Sequence, residues 1–339
     1  MLVSVITKTN HQEFSVNDTP FTLVPTFDGL EDLIAQTRAF AEAANAPATR
    51  KAYASDIQDY SDFCAEIGQP VFGPGGEILA LYIADLARQG RKTTTIDRRL
   101  AAIATEYHAQ GHRDTPVTTF IVQQVLRGIK RTIGTAVERK SALLSQDIER
   151  IAEACPTRLI GLRDRALALF GYSLAGRRAA LAAVEVSDLA LTSEGIVVTI
   201  RRDKTDQEQA GRQVPVAFGS RPETCPVRAL AIWLKAANIS EGPLFRAVDR
   251  HGNVSARALE PGSIARILKK AARRSGMSEA DVAKLGGHSL RSGAATTAAI
   301  AGASEREIAA ITGHRSQEVR RYIRDANLFR ASAAGKLGL

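Results

Sequence analysis

The sequence predicts a mostly α-helical protein of two domains: an N-terminal helical bundle, then a mixed domain in which a small β-hairpin or sheet interrupts the helices. Three observations lead there. The chain has 339 residues, more than one hydrophobic core usually serves. Apolar residues recur at intervals of three and four, the spacing of one helix face, and give way to a β-rich run only around residues 196–216. A hydrophobic fraction of 45% beside 24% charged residues lets each half bury a core.

Residues 1–28 are Thr-rich, contain Pro20 and Pro25, and have no helical period; they read as a flexible arm. A helix is expected from near Gly29, with Leu33 and Phe40 on its apolar face. Tyr53, Ile57, Tyr60, Cys64 and Ile67 mark the next, stopped by Gly68. Ile78, Tyr82 and Leu86 mark a third, ended by Gly90. Ile96, Leu100, Ile103 and Tyr107 mark a fourth, ended near Gly111. Ile121 or Val122, Val125, Ile129 and Ile133 mark a fifth, ended by Gly134. Helices with such short connections pack as a bundle, so residues 29–134 form the first domain. Residues 135–144 read as a linker and 145–339 as the second domain. Ser145 is expected to cap its first helix, with Asp147 in the first turn. Residues 196–200 and 213–216 are strands around the polar turn RRDKTDQEQAGR. A further helix starts at Pro261 and ends at Gly276. Ser304 and Glu307 make a capping box for a helix that Gly313 ends, and Ser316 caps the helix of Tyr322.

The net charge is +9 and the pI about 9.7, which implies a polyanionic partner, either nucleic acid or an anionic membrane. No apolar stretch is long enough to span a bilayer. The opening MLVSVITKTNHQEF lacks a basic segment followed by a long apolar run. DNA is therefore favoured over a membrane. Arg88, Arg91 and Lys92 fall at a helix end and its loop, Arg98 and Arg99 in the next helix, and Arg127, Lys130 and Arg131 in the fifth. Thr93, Thr94 and Thr95 sit at a helix N-terminus, where free N–H groups and hydroxyls can hold a phosphate. Arg139 and Lys140 in the linker, Arg202 in the hairpin, and Lys269 and Arg273, with Lys270 and Arg274, in the second domain are further candidate DNA contacts. Taken singly, each cluster is explained as readily by a solvated charged face. Cys64, Cys155 and Cys225 share no CxxC spacing, so neither a disulfide framework nor a zinc site is expected, and reduced thiols fit a cytoplasmic, nucleoid-associated protein.

Five positions in the second domain stand out: Arg177, Lys204, the His288-Ser-Leu-Arg291 run, His314 and Tyr322. Breaking a phosphodiester without metal gathers negative charge on non-bridging oxygens, which planar guanidinium groups meet best. Arg177 and Arg291 come from separate elements and could clamp one phosphate. His288 and Arg291, at i and i+3, share a helical face. A phenol with a pKa of about 10 must lose its proton as it attacks, which nearby cations ease. A Lys on a hairpin can protonate the leaving oxygen. No cofactor or metal is expected.

These segments resemble the tyrosine recombinase (phage integrase) family, closest in flavour to its Cre-type members. GYSLAGRRAALAAVEVSDL is similar to the family's first arginine box, IRRDKTDQEQAG to its lysine β-hairpin, GGHSLRSGAA to its HxxR box and TGHRSQEVRRYIRD to its last box. The bundle, with ATRKAYASDIQDYSDFC near its start, resembles the family's core-binding domain. The resemblance implies a clamp around double-stranded DNA and site-specific recombination. Arg177 and Arg291 would hold the scissile phosphate, Lys204 would protonate the 5′ oxygen, and His288 would assist proton transfer. His314 would bond the phosphate, and Tyr322 would attack it to give a 3′-phosphotyrosine without ATP. It also implies four protomers on two paired sites, monomers or dimers when free, a C-terminal segment (about 326–339) docking on a neighbour, and accessory DNA-bending or directionality proteins.

Two features depart from the family. The carboxylate usual three residues after the first arginine is Ala180, with Glu185 a nearby alternative. His314 and Tyr322 are eight residues apart, one fewer than is common. One residue is about 100° of helix rotation, so a shortened loop before Ser316 must absorb it for Tyr322 to face the site. The choice of Arg177 over Arg178 rests on register. Two other readings stand beside an active recombinase: a catalytically weak or inactive DNA-binding regulator on the same scaffold, and a topoisomerase-like enzyme without a fixed site.

Overall fold

The computed structural model describes residues 30–73, 75–135, 140–201, 211–314 and 316–326. By contacts the chain divides into two compact units, Met1–Val137 and Glu138–Leu339.

The described residues of the first unit form five α-helices: α1 (Leu30–Ala43), α2 (Pro47–Glu66), α3 (Glu77–Arg88), α4 (Thr93–Ala109) and α5 (Phe120–Ile133). Their recurring apolar residues converge. Leu79, Tyr82, Ile83 and Leu86 of α3 meet Ile96, Leu100, Ile103 and Tyr107 of α4, with Tyr60 and Cys64 of α2 and Val122, Leu126 and Ile129 of α5. Two expectations change. Ile121 and Ile133 are exposed: the first lies 100° off the α5 stripe, the second is the last residue of its helix. Leu33 and Phe40 of α1 are also exposed; periodicity marks a face but does not supply its partner.

Arg99 corrects the expectation of a DNA contact. It is 7% exposed and faces inward from α4. Its Nη1 donates to the Tyr82 hydroxyl at 2.8 Å and to Asp59, and its Nη2 donates to Asp59 Oδ2 at 3.0 Å. Buried Asp56 lies 3.6 Å from Arg99 Nε and binds Nη1 of Arg98. A guanidinium removed from water must be paired, and this network joins α2, α3 and α4.

In the second unit, α6 (Ser145–Glu153) begins with Ser145 as a helical residue rather than a cap; the Asp147 carboxylate instead accepts the Leu144 N–H at 3.0 Å. The central helix is α7 (Leu159–Leu174), buried on most sides by Ala166, Leu167, Ala168, Leu169, Phe170 and Leu174. It packs on α6, on α9 (Pro226–Ala236) and on α12 (Ser289–Ile300). Between α8 (Arg178–Ala183) and α9 runs an antiparallel sheet of β1 (Leu189–Leu191), β2 (Gly195–Ile200) and β3 (Arg212–Ala217), in that order. Ile200 pairs with Arg212, and alternate residues Ile196, Val198, Ile200, Val214 and Val216 are buried, as a half-covered sheet requires. The sequence marks only β2 and β3. The structure adds β1 and a second hairpin, β4 (Arg246–Val248) with β5 (Val254–Ala258); β1 and β4 are too short to show a period.

Helices α10 (Pro261–Arg274), α11 (Glu279–Lys284), α12, α13 (Glu305–Thr312) and α14 (Ser316–Ala326) complete the unit. The Ser304–Glu307 capping box forms, and Gly313 ends α13 in the left-handed region at φ 61°. Asp164 of α7 binds Arg163 at 2.7 Å and Arg274 of α10 at 2.8 Å, so Arg274 serves the interior. No helix of the described residues is long and apolar enough to cross a membrane.

Arg99→Ala is expected to lower the stability of the first unit by roughly 2–4 kcal/mol, since it removes the buried guanidinium that bonds Asp59 and the Tyr82 hydroxyl and leaves Asp56 with Arg98 alone. Denaturant unfolding checks this; a loss below about 0.5 kcal/mol, the usual surface value, would show that Arg99 holds nothing together.

Candidate active site

The site is built around Arg291. Ser289 opens α12, so Arg291 lies in its first turn with its side chain fully buried. Nη1 donates to the Ala175 carbonyl at 3.2 Å, and Nε donates to His314 Nε2 at 3.0 Å. The first bond reaches the turn between α7 and α8. Ala175 ends α7 there in the left-handed region at φ 49°, a conformation that costs an L-residue roughly 1–2 kcal/mol. The second bond reaches the connection between α13 and α14. The HxxR helix, the first arginine box and the His314 segment thus meet on one guanidinium.

Close packing lets α12 sit there. A Cβ on Gly293 would lie 1.8 Å from the Leu143 carbonyl oxygen, so only glycine allows the helix to approach the Leu143 backbone this closely. The Leu143 N–H donates to the Ser289 carbonyl at 3.1 Å.

Tyr322 of α14 faces the same place. Its hydroxyl is 3.4 Å from His288 Nε2, and its ring lies 5.5 Å from the His314 ring, tilted 31°. The eight-residue spacing is therefore absorbed before α14, which starts at Ser316. Arg177 is the residue just before α8, half-buried, and its charge acts on His288. Arg178 is exposed, and its stem covers Gly287. Arg177, Arg291, His288, His314 and Tyr322 are thus brought together. Lys204, Arg202 and Arg139 lie outside the described residues, as does the chain after residue 326.

His288 is held below its ordinary pKa of 6.5, first by desolvation of the ring face turned into the protein, then by Arg291 and Arg177; Glu318 opposes them. His288 is therefore neutral near pH 7. His314 is buried, and its Nε2 has two neighbours with opposite demands: Arg291 Nε at 3.0 Å and a Glu318 carboxylate oxygen at 3.6 Å. Arginine Nε can only donate, so the nearer contact decides: Nε2 carries a lone pair, and the proton of the neutral ring is on Nδ1.

Ala180 is buried and apolar. Glu185 does not replace the missing carboxylate: it binds Arg201 at 2.9 Å, together with Asp188 at 2.8 Å. Of the other candidate DNA contacts in this unit, Lys140 is exposed with its stem over Gly286. Lys269 donates to the Ala283 carbonyl at 3.2 Å, and Arg273 pairs with Glu279 at 2.7 Å. In the first unit Arg91, Lys92, Thr94 and Arg131 are exposed. Arg88 pairs with Asp85, and Lys130 pairs with Asp97 at 2.8 Å. Sequence reasoning passed over Ala175, Glu318 and Arg212. A helix-ending Ala before a glycine and an acid four residues before the tyrosine were the available signals for the first two.

Arginines, two imidazoles and a phenol in one neighbourhood are a set that could break a phosphodiester without metal. Residues 141–328 match the phage integrase family. An integrase/recombinase XerD homolog of Selenomonas ruminantium is 35% identical over 300 residues, 87% of each chain. The tyrosine recombinase XerD of Rhizobium meliloti (strain 1021) is 26% identical over 81% of this chain and 83% of its own. Two solved structures share the fold. The XerH site-specific recombinase bound to palindromic difH substrate has a TM-score of 0.62 at 16% identity, over 85% of this chain and 79% of that one. A lambda integrase dimer bound to a COC′ core site has a TM-score of 0.58 at 18% identity, over 86% and 94%. The chain belongs to the phage integrase family and is a tyrosine-type site-specific DNA recombinase.

In a histidine-resolved NMR titration the midpoint of His288 is expected below 6.5. Arg177→Gln should raise it by removing a cation, and Glu318→Gln should lower it by removing the opposing charge. Because the folded ring binds a proton less readily than the unfolded one, its contribution to stability is present above pH 6.5 and is lost as pH falls toward the folded midpoint. An unshifted midpoint that ignores both substitutions would separate His288 from this charge cluster.

Proposed function

We propose that the chain cuts and rejoins DNA through a covalent 3′-phosphotyrosine on Tyr322, with two paired recognition sites held by four protomers. The observation that carries this reading is the 3.4 Å approach of the Tyr322 hydroxyl to His288 Nε2, beside the buried Arg291 guanidinium that bonds His314 at 3.0 Å.

The chemistry follows from what each group can do. His288, neutral near pH 7, takes the phenol proton on Nε2 as the Tyr322 oxygen attacks phosphorus. Arg177 and Arg291 meet the charge that builds on the non-bridging oxygens, and His314 donates to one of them once its proton shifts from Nδ1 to Nε2 and a phosphate oxygen replaces the ring as the acceptor for Arg291 Nε. The bond from phosphorus to the 5′ oxygen breaks, and Lys204 supplies the proton that makes it a hydroxyl. One phosphate ester replaces another, so the energy of the broken bond is kept and rejoining is the same step reversed, with no need for ATP.

The exposed basic residues of the bundle, Arg91, Lys92 and Arg131 with Thr94 at the α4 N-terminus, suit phosphate contacts along a duplex. The second unit would contact the same duplex through its own site. The four-protomer assembly is supported by kinship of fold with lambda integrase, solved as a tetramer on a Holliday junction. C-terminal docking on a neighbour and accessory DNA-bending or directionality proteins belong to the same reading, as does a cytoplasmic place of work beside the nucleoid.

The test is a pool of nicked duplexes tiled across the DNA flanking the gene, incubated with the protein and then denatured. Wild type is expected to retain a covalent DNA adduct at one sequence. Tyr322→Phe should bind the same DNA and form none. An adduct that survives Tyr322→Phe would end the assignment. Binding without any adduct would favour the regulator, and adducts at many unrelated sequences the topoisomerase. Affinity for the recovered duplex is expected to fall roughly 10³- to 10⁵-fold between 50 and 200 mM salt if six to ten phosphates are contacted; a flat response would remove the phosphate grip.

A further inference from the structure

His314 has no regular element to hold it. It follows the left-handed Gly313 that ends α13 and precedes α14, and a helix C-terminus is a place where chains fray. Its ring nevertheless has to present Nε2 to Arg291 within hydrogen-bonding distance. Something must fix the end of α13, and the structure shows what does.

Arg212 opens β3, on the rung opposite Ile200. Its Nη1 donates to the Ala310 carbonyl at 3.1 Å and to the Ile311 carbonyl at 3.0 Å. These belong to the last turn of α13, where helical carbonyls lack partners and where a cation is favoured by the helix dipole. The same guanidinium lies against Gly313: a Cβ there would meet Arg212 Nε at 2.9 Å. Its Nε and Nη2 are out of reach of solvent. One side chain on the sheet therefore grips the two carbonyls and the glycine immediately before His314. A lysine could not reproduce this, since it lacks the planar fork.

We propose that Arg212 is a positioning residue for the strand-cleavage reaction: it fastens the end of α13 to β3, and so holds the His314 ring against Arg291. The proposal rests on the reading of His314 as a phosphate ligand given above. Arg212 itself acts only through the His314 segment and touches no reacting atom.

Two measurements test it on the full-length protein. The first is the NMR signal of the His314 ring in wild type, Arg212→Gln and Arg212→Lys, with exposed His251 as an internal reference. The His314 signal is expected to move or broaden in Arg212→Gln, less in Arg212→Lys, while His251 stays put. The second is single-turnover adduct formation on the nicked duplex recovered above, in a cycle with His314→Ala. Arg212→Gln is expected to slow cleavage roughly 10- to 100-fold, the usual cost of misplacing a reacting group by about 1 Å, with DNA affinity changed by less than about twofold. In the His314→Ala background the same substitution should cost nothing further, because the ring it positions is gone. An unmoved His314 signal, or a full additional loss in that background, would overturn the proposal. If His314→Ala alone cleaves like wild type, the phosphate role of His314 fails instead, and the ring signal still decides whether Arg212 anchors it. Should Arg212→Gln not fold, Arg212→Lys keeps the cation and the stem, and the same two readouts apply.

Discussion

Arg291 is a cation with no exposed surface, and the rest of the second unit is arranged to make that tolerable. Taking a charge out of water costs several kcal/mol even after relaxation, so its donors must be met. One meets the Ala175 carbonyl and another His314 Nε2. Each partner is held in an otherwise unfavourable state to do so: Ala175 in left-handed backbone, and His314 with its proton kept off the nitrogen that faces arginine. The unit accepts these local costs because one buried guanidinium joins three segments distant in sequence.

The electrostatic outcome is a site in which Arg291 and Arg177 both act on His288 and Glu318 opposes them. Ala180 leaves an apolar methyl where a carboxylate would damp the field, and Glu185 and Asp188 turn instead to Arg201 at the end of β2. Glu318, 3.6 Å from His314, approaches the cluster from the solvent side. The two cations and burial hold His288 neutral. A phosphodiester has the right charge and the right oxygen geometry for two guanidinium groups.

Basic residues elsewhere divide by what they face. Arg99 and Arg274 serve the interior, bonded to Asp59 and Asp164, whereas Arg91, Lys92 and Arg131 lie on the surface. Composition alone counts these residues as equals. Their roles separate because a helix presents successive positions 100° apart, so Arg98 and Arg99 look in different directions.

The sequence by itself determined the helices of the bundle, the β2–β3 pair, the capping box at Ser304 and the set Arg177, His288, Arg291, His314 and Tyr322 that the fold brings together. These are local patterns: a period, a cap or an ordered series of boxes is written in neighbouring residues. It did not determine that α1 leaves Leu33 and Phe40 uncovered, that Arg99 is internal, or that β1, β4 and β5 exist, since each depends on what packs against a segment from far along the chain. The eight-residue interval between His314 and Tyr322 was legible, but its consequence was not. Only the tertiary structure decided that the phenol turns toward His288, because the direction of a helix is set by the loop before it and by the surface it lands on. The same holds for Arg212, an ordinary strand residue in sequence, whose place at the end of α13 exists only once the sheet and that helix have met.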